Sequence, residues 1–360
     1  MGNYKDAYDN ELLYRNLLDT INSAETAKKI TELKMNSEFQ KKDAIAKIEQ
    51  NKKDALAEQE IQKQNNLRNS LFVGFALMIL LAVVSFRSFR RKQKDNQVII
   101  KQKELVENKN KEITKSIQYA LRIQNAILPP PKSVSLSFNN SFIVYKPKDI
   151  VAGDFYWMEA NEDLILFAAC DCTGHGVPGA MVSVVCHNAL NRAVREFGLT
   201  KPSKILDKTA AIVIENFSKS EDEIRDGMDI SLCSFNKKTN TLEWAGANNP
   251  LWRIVNGEIL ETKGDKQPIG THENYHSFTN HTFTLNSGDS IYLFTDGYSD
   301  QFGEVDEKQK KLKRKRFKDL LLSIHKQPML EQGVSLDNFI TEYRNDIEQI
   351  DDILVMGVRV

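Results

Sequence analysis

Between Arg68 and Arg87 the chain reads NSLFVGFALMILLAVVSF, eighteen consecutive residues without a charge. As a helix this run spans about 27 Å, enough to cross the hydrocarbon core of a bilayer. Apolar side chains cover every face of it, unlike the one-sided stripe of a helix on a soluble core. It also lies too far from the N-terminus for a secretory signal. Residues 69–86 are therefore expected to form one transmembrane helix, and the rest of the chain must be divided between the two sides of a membrane.

Charge assigns the sides. The 360 residues carry 49 basic and 49 acidic side chains. Segment 87–128 holds 11 basic against 4 acidic, whereas 1–86 holds 12 of each and 129–360 holds 26 against 33. Arg87, Arg90, Arg91, Lys92 and Lys94 crowd one flank of the apolar run, against Lys63 and Arg68 on the other. The positive-inside rule then places residues 87–360 in the cytoplasm of a single-pass, inner-membrane protein. Residues 1–68, polar and almost free of Gly and Pro, read as solvated extracytoplasmic helices. Cys170, Cys172, Cys186 and Cys233 all fall on the cytoplasmic side without a C-x-x-C pair, so they are expected to be reduced and mostly buried.

Residues 87–128 read as a helical linker. One seam of a heptad pattern holds Ile99, Val106, Ile113, Ala120 and Ile127; the other holds Asn96, Lys103, Asn110, Ile117 and Gln124. A half-polar seam of this kind suits a weak parallel coiled coil, and hence a homodimer joined through the linker. The competing reading is a single amphipathic helix packed on the domain that follows. The prolines of LPPPK close the helix.

Residues 129–360 change character to short strands broken by turns, among them LILFAAC, ISLCSF, TLEWAG, LWRIV, SIYLF and ILVMGVRV. Helices are expected near 178–197, 203–218, 316–325 and 336–347. Clustered helices and many strands predict an α+β fold with antiparallel sheets. Acids recur at strand ends beside glycine: Asp154 in AGDFYW, Asp171 in CDCTGHG, Asp296 in TDG, and Asp351 with Asp352 before the last strand. Each alone reads as a turn residue. Together, without His or Cys partners at ligand spacing, they suit hard divalent cations, and shared carboxylates suit two ions acting on a phosphate ester.

The segments KPKDIVAGDFYW, DCTGHGVPGA, WAGANNPLW, GDKQPIG, IYLFTDGYSD and DDILVMGVRV, in that order, resemble the SpoIIE-type branch of the metal-dependent type 2C Ser/Thr phosphatases. That resemblance covers about residues 125–360. It implies an antiparallel β-sandwich flanked by helices (αββα) with a centre of two Mn²⁺ or Mg²⁺ ions. It also implies Asp154, Asp171, Asp296 and Asp351 as metal ligands, Asp171 bridging, with the backbone carbonyl of Cys172 assisting. Asp154 and Asp171 thereby become catalytic as well. His175 is a candidate proton donor to the leaving oxygen, or else a brace for the metal loop. The implied substrate is a phosphorylated protein such as an anti-sigma-factor antagonist. Two positions depart from the usual pattern: Leu354 stands where relatives have the Thr of DDIT, and Ala247 where they often have His.

Successive residues of a strand face opposite ways, so Asp351 and Asp352 cannot both reach one ion from a regular strand; the resemblance selects Asp351. The basic run KQKKLKRKRFK, residues 308–318, reads as a solvated face, with Phe317 and DLLLSI docking as a helix. Without an aromatic platform or recognition helix it does not suggest nucleic acid. A sensor histidine kinase is excluded because residues 87–174 contain no histidine. A two-metal nucleotide cyclase and a catalytically silent scaffold remain the alternatives to a phosphatase.

Overall fold

The computed structural model describes residues 4–21, 24–130, 134, 137–219, 226–305 and 308–360. Pro131 and Lys132 of the helix-closing LPPPK lie outside them. The chain divides into two compact units, residues 1–104 and 105–360.

Helix α1 covers Tyr4–Ile21 and buries no residue. Helix α2 runs from Ala24 to Ile127. Within α2 an 18-residue window reaches a mean hydropathy of 2.3 with none of it buried, which by length and composition could span a membrane. Ile99, Val106 and Ile113 are exposed. In the second unit the end of α2 behaves as the amphipathic alternative predicts: Ile117, Ala120, Gln124, Ile127 and Leu128 turn inward at helical spacing. Gln124, a seam position in the heptad reading, is buried against the domain and hydrogen-bonds both backbone groups of Ala152.

Among the described residues twelve strands follow: β1 Ser141–Lys146, β2 Phe155–Ala160, β3 Leu164–Cys172, β4 Met228–Asn236, β5 Thr241–Ala247, β6 Leu251–Val255, β7 Glu258–Thr262, β8 His281–Thr284, β9 Ser290–Phe294, β10 Phe302–Val305, β11 Lys308–Lys311 and β12 Ile353–Arg359. Between them lie helices α3 Gly176–Asn191, continued by a π-helical turn Arg192–Glu196, α4 Pro202–Phe217, the single turn α5 Gly297–Asp300, α6 Lys313–Ile324 and α7 Met329–Arg344. One sheet has the order β1-β12-β9-β6-β7 and the other β2-β3-β4-β5-β8, with all ladders antiparallel.

Two-residue periodicity builds the layers. Along β9 and β12, Ile291, Leu293, Leu354, Met356 and Val358 enter the core shared with the second sheet and α4. The alternating Tyr292, Phe294, Ile353 and Val355 enter a separate core under α6 and α7. Each sheet thus has one face on its partner and one under helices, giving the expected αββα sandwich. All four cysteines are free and buried, and Leu354, the departure from DDIT, is a core residue.

Two features differ from the sequence expectation. The basic run is mostly exposed, as expected, but is shared between two elements: Lys308–Lys311 is a strand paired with Phe302–Val305, and α6 begins at Lys313. Helix α7 starts seven residues before the expected boundary, because Met329 and Gln332 are buried and Pro328 supplies its N-cap. Phe317 anchors α6 as anticipated, with Trp252, Phe294 and Tyr298 rings at 5.3, 5.3 and 4.4 Å. Replacing Phe317 with Ala is expected to destabilise the domain by about 3–5 kcal/mol in urea unfolding; a loss under about 1 kcal/mol would show that α6 is not held by this cluster.

Candidate metal centre

The sandwich brings strand ends from both sheets to one edge. Three backbones meet there because they lack side chains: a Cβ on Gly153 or on Gly179 would overlap the carbonyl oxygen of Gly174. This packs the loop before β2 against the turn between β3 and α3. On the other sheet a Cβ at Gly297 would overlap the Asp352 carbonyl, so the turn after β9 lies directly against the start of β12. Asp154, Asp171, Asp296 and Asp351 sit on these four segments.

A cleft of about 270 Å³ opens at this edge, and Asp171, His175, Asp229, Asp296 and Asp351 line it with the backbone of Cys172 to Gly174. Asp154 does not line the cleft; it stands behind it, 3% exposed. The Cys172 thiol is buried and held protonated by that burial, so only its carbonyl, which faces Gly153, remains as a donor. His175 opens α3 at the mouth of the cleft and pairs with Asp149 in the loop after β1.

The acids raise one another. Burial and the neighbouring Asp171 push the Asp154 carboxyl well above the usual range, a Thr295 hydrogen bond offsetting part of the rise. Burial, then Asp296, Asp229 and Asp351, push Asp171 the same way. Asp296 is pushed up to about 6 by burial with Asp300 and Asp351, and Lys311 relieves part of it. Asp154 Oδ2 is buried without any hydrogen-bond partner, which ordinarily costs folding free energy.

Among the described residues no three His, Cys, Asp or Glu side chains are already drawn tightly enough around one point to hold an ion. Like charges in a poorly solvated place repel, and that repulsion helps to make these carboxyls weaker acids. An oxygen-only donor set with an orphaned buried carboxylate oxygen fits Mg²⁺ or Mn²⁺ and suits no soft metal.

Asp352 has a different job. Its Oδ1 accepts the Lys148 N–H at 2.7 Å, and its Oδ2 accepts the N–H groups of Gly153 at 2.7 Å and Asp154 at 3.4 Å. It is buried and pins the loop that carries Asp154. Asp351, like Asp352 just before β12 and outside it, lines the cleft instead. The residue that sequence reasoning missed is Asp229, directly opposite Asp171 across the β3–β4 ladder. Burial raises its carboxyl, and Asn248 donates to it at 2.8 Å. Its only local signal was Gly227 two positions before it in GMDISL, weaker than the direct Gly-Asp of AGDFYW.

The Stage II sporulation protein E (SpoIIE) family model matches residues 161–360. Among solved structures, the PP2C domain of SiaA from Pseudomonas aeruginosa is similar at 32% identity and a TM-score of 0.64, over 70% of this chain and 98% of that one. The PP2C phosphatase domain of SpoIIE from Bacillus subtilis, solved with a fragment of its regulatory domain, shares the fold. That match has 17% identity and a TM-score of 0.50 over 61% of this chain and 63% of the other. Comparison with curated protein sequences finds no match.

The two adjacent acids separate experimentally. Asp351→Asn is expected to remove most Mn²⁺ affinity in calorimetric titration. Asp352→Asn turns one accepting oxygen into an NH₂ facing a backbone N–H, and should weaken affinity about tenfold to a hundredfold by loosening the Asp154 loop. A greater loss at Asp352 would contradict this assignment.

Proposed function

The chain belongs to the SpoIIE family of metal-dependent PP2C-type Ser/Thr phosphatases, and we propose that it is a membrane-tethered enzyme hydrolysing phosphoserine and phosphothreonine at this carboxylate centre. The observation that carries the site assignment is the partnerless, buried Asp154 Oδ2 behind a cleft of mutually repelling carboxylates. Asp154, Asp171, Asp296 and Asp351, with the Cys172 carbonyl, would hold two Mn²⁺ or Mg²⁺ ions, as the family resemblance implies, with Asp171 the ligand it implies both would share. Bound there, such ions supply charge neutralisation for the phosphoryl oxygens and an activated water.

The protein's own groups do the rest. Asp352, Gln124 and the Gly153–Gly174–Gly179 contact fix the Asp154 and Asp171 loops against each other. Asp229 adds negative charge opposite Asp171 that favours a cation there. His175, which lines the cleft, would give a proton to the leaving serine or threonine oxygen. With the family fixed, a phosphatase supersedes the nucleotide cyclase, and the complete acid set speaks against a silent scaffold.

Residues 69–86 would tether the enzyme to the inner membrane, with 1–68 outside and the phosphatase domain, 129–360, in the cytoplasm. The uncharged run and the basic flank after it support that topology. The family premise supports a phosphorylated partner-switching protein as substrate, such as an anti-sigma-factor antagonist. Residues 87–128 would join two copies through the exposed Ile99, Val106 and Ile113 stripe and pass a signal to the domain.

The full chain in detergent is expected to release phosphate from phosphoserine peptides with Mn²⁺, and to stop when EDTA is added. Asp171→Ala should lose activity by at least about a thousandfold while its metal-free unfolding curve stays at or above the wild-type midpoint, since one repelling carboxylate is gone. Near wild-type turnover by that variant would refute the site.

Replacing Asn110 by Leu should tighten a parallel dimer in sedimentation and change basal turnover, because a polar seam residue weakens a coiled coil. A monomer with unchanged turnover would leave the linker as a single docked helix.

A further inference from the structure

His175 is held from both sides of its ring. Its Nδ1 lies 2.8 Å from Asp149 Oδ2 and its Nε2 lies 3.0 Å from Lys148 Nζ. An ammonium group has only donors, so Nε2 must accept. Both contacts are satisfied together only by the neutral ring with its hydrogen on Nδ1, donated to Asp149. A doubly protonated ring would set an N–H against the ammonium.

The backbone builds this arrangement. Gly176, at φ +61°, leaves open the place where a Cβ would come within 2.9 Å of Asp149 Oδ2. The Lys148 N–H is fixed to Asp352 Oδ1, the same carboxylate that pins the Asp154 loop. Asp149 and His175 are each about half exposed, at 49% and 48% of their side chains, so their pairing adds little to stability. Neither Lys148 nor Asp149 lines the cleft, but each touches His175, which does.

We propose that Asp149 and Lys148 are positioning residues for His175, Asp149 fixing the ring and Lys148 masking Nε2 until an anionic phosphoester draws the ammonium away. The proposal rests on the reading of His175 as proton donor. Once unmasked, Nε2 takes a proton from solvent, and the adjacent Asp149 carboxylate stabilises the resulting imidazolium. As water bonds to phosphorus and the P–O ester bond breaks, the leaving oxygen takes the Nε2 proton. The attacking water releases one proton to solvent, so the products are the free hydroxyl and inorganic phosphate, with the ring neutral again. The phosphoester thus unmasks its own proton donor, and a neutral ligand in the cleft would leave Lys148 in place.

The test uses the full chain in detergent with Mn²⁺ and a phosphoserine peptide. Asp149→Asn should lower kcat about tenfold or more, within the ~10²–10⁴-fold that proton transfer supplies, with KM changed less than about twofold. In a His175→Asn background the same substitution should cost nothing further, because the two act as one unit. Lys148→Met should raise KM and leave kcat unreduced. ¹⁵N spectra of histidine-labelled protein, with the His175 signal identified by its loss in His175→Asn, should show the Nδ1–H form of the neutral ring. Independent, multiplying losses for Asp149 and His175, or an Nε2–H ring, would overturn the proposal. Failure of the wild type to hydrolyse the peptide would instead refute the phosphatase site, and the ring's tautomer would still decide whether Asp149 and Lys148 hold it as described.

Discussion

Gathering carboxylates in a poorly solvated place costs this fold free energy. Asp154, Asp171, Asp229, Asp296 and Asp351 sit close enough that burial and mutual repulsion dominate the acidity of those that shift. A flexible assembly would relax by turning them to water. The two sheets prevent that, because each acid stands at the end of a strand whose other residues are locked in one of two apolar cores. A divalent cation bound among these acids would relieve that repulsion, so the same feature that burdens the bare domain would favour a hard metal there.

Holding the acids in register falls to a few contacts between segments far apart in sequence. Asp352, next to a cleft residue, uses its own carboxylate on the backbone of Lys148, Gly153 and Asp154. Gln124 grips Ala152 from the end of the linker helix and also donates to Ser183 in α3. The loop bearing Asp154 is therefore held at once by the last strand and by the helix that leads toward the apolar run. Any change in how that helix docks is felt two residues from Asp154.

Much of this was legible in the sequence, for reasons that also mark its limits. Strand ends were visible because apolar runs such as LILFAAC and SIYLF stop at an acid with a glycine close by, and those acids lie at the candidate centre. Phe317, followed by DLLLSI, was recognisable as the anchor of a docking helix. Asp229 escaped notice because it falls on the second residue of a strand, where it reads as an ordinary surface position; only the pairing with Asp171 gives it meaning. The β10–β11 hairpin was hidden because KQKK has no apolar alternation to betray a strand on the surface. The roles of Asp149, Asp352 and Gln124 depend on hydrogen bonds spanning 26 to 204 positions, which no local pattern encodes.

The central claim is that these carboxylates form a divalent-cation centre, and anomalous diffraction from crystals of the protein grown with Mn²⁺ tests it most directly. Strong anomalous peaks between Asp154, Asp171, Asp296 and Asp351, with Asp171 shared, are what the account predicts. No peak at that edge of the sandwich, or peaks only at surface acids elsewhere, would contradict it.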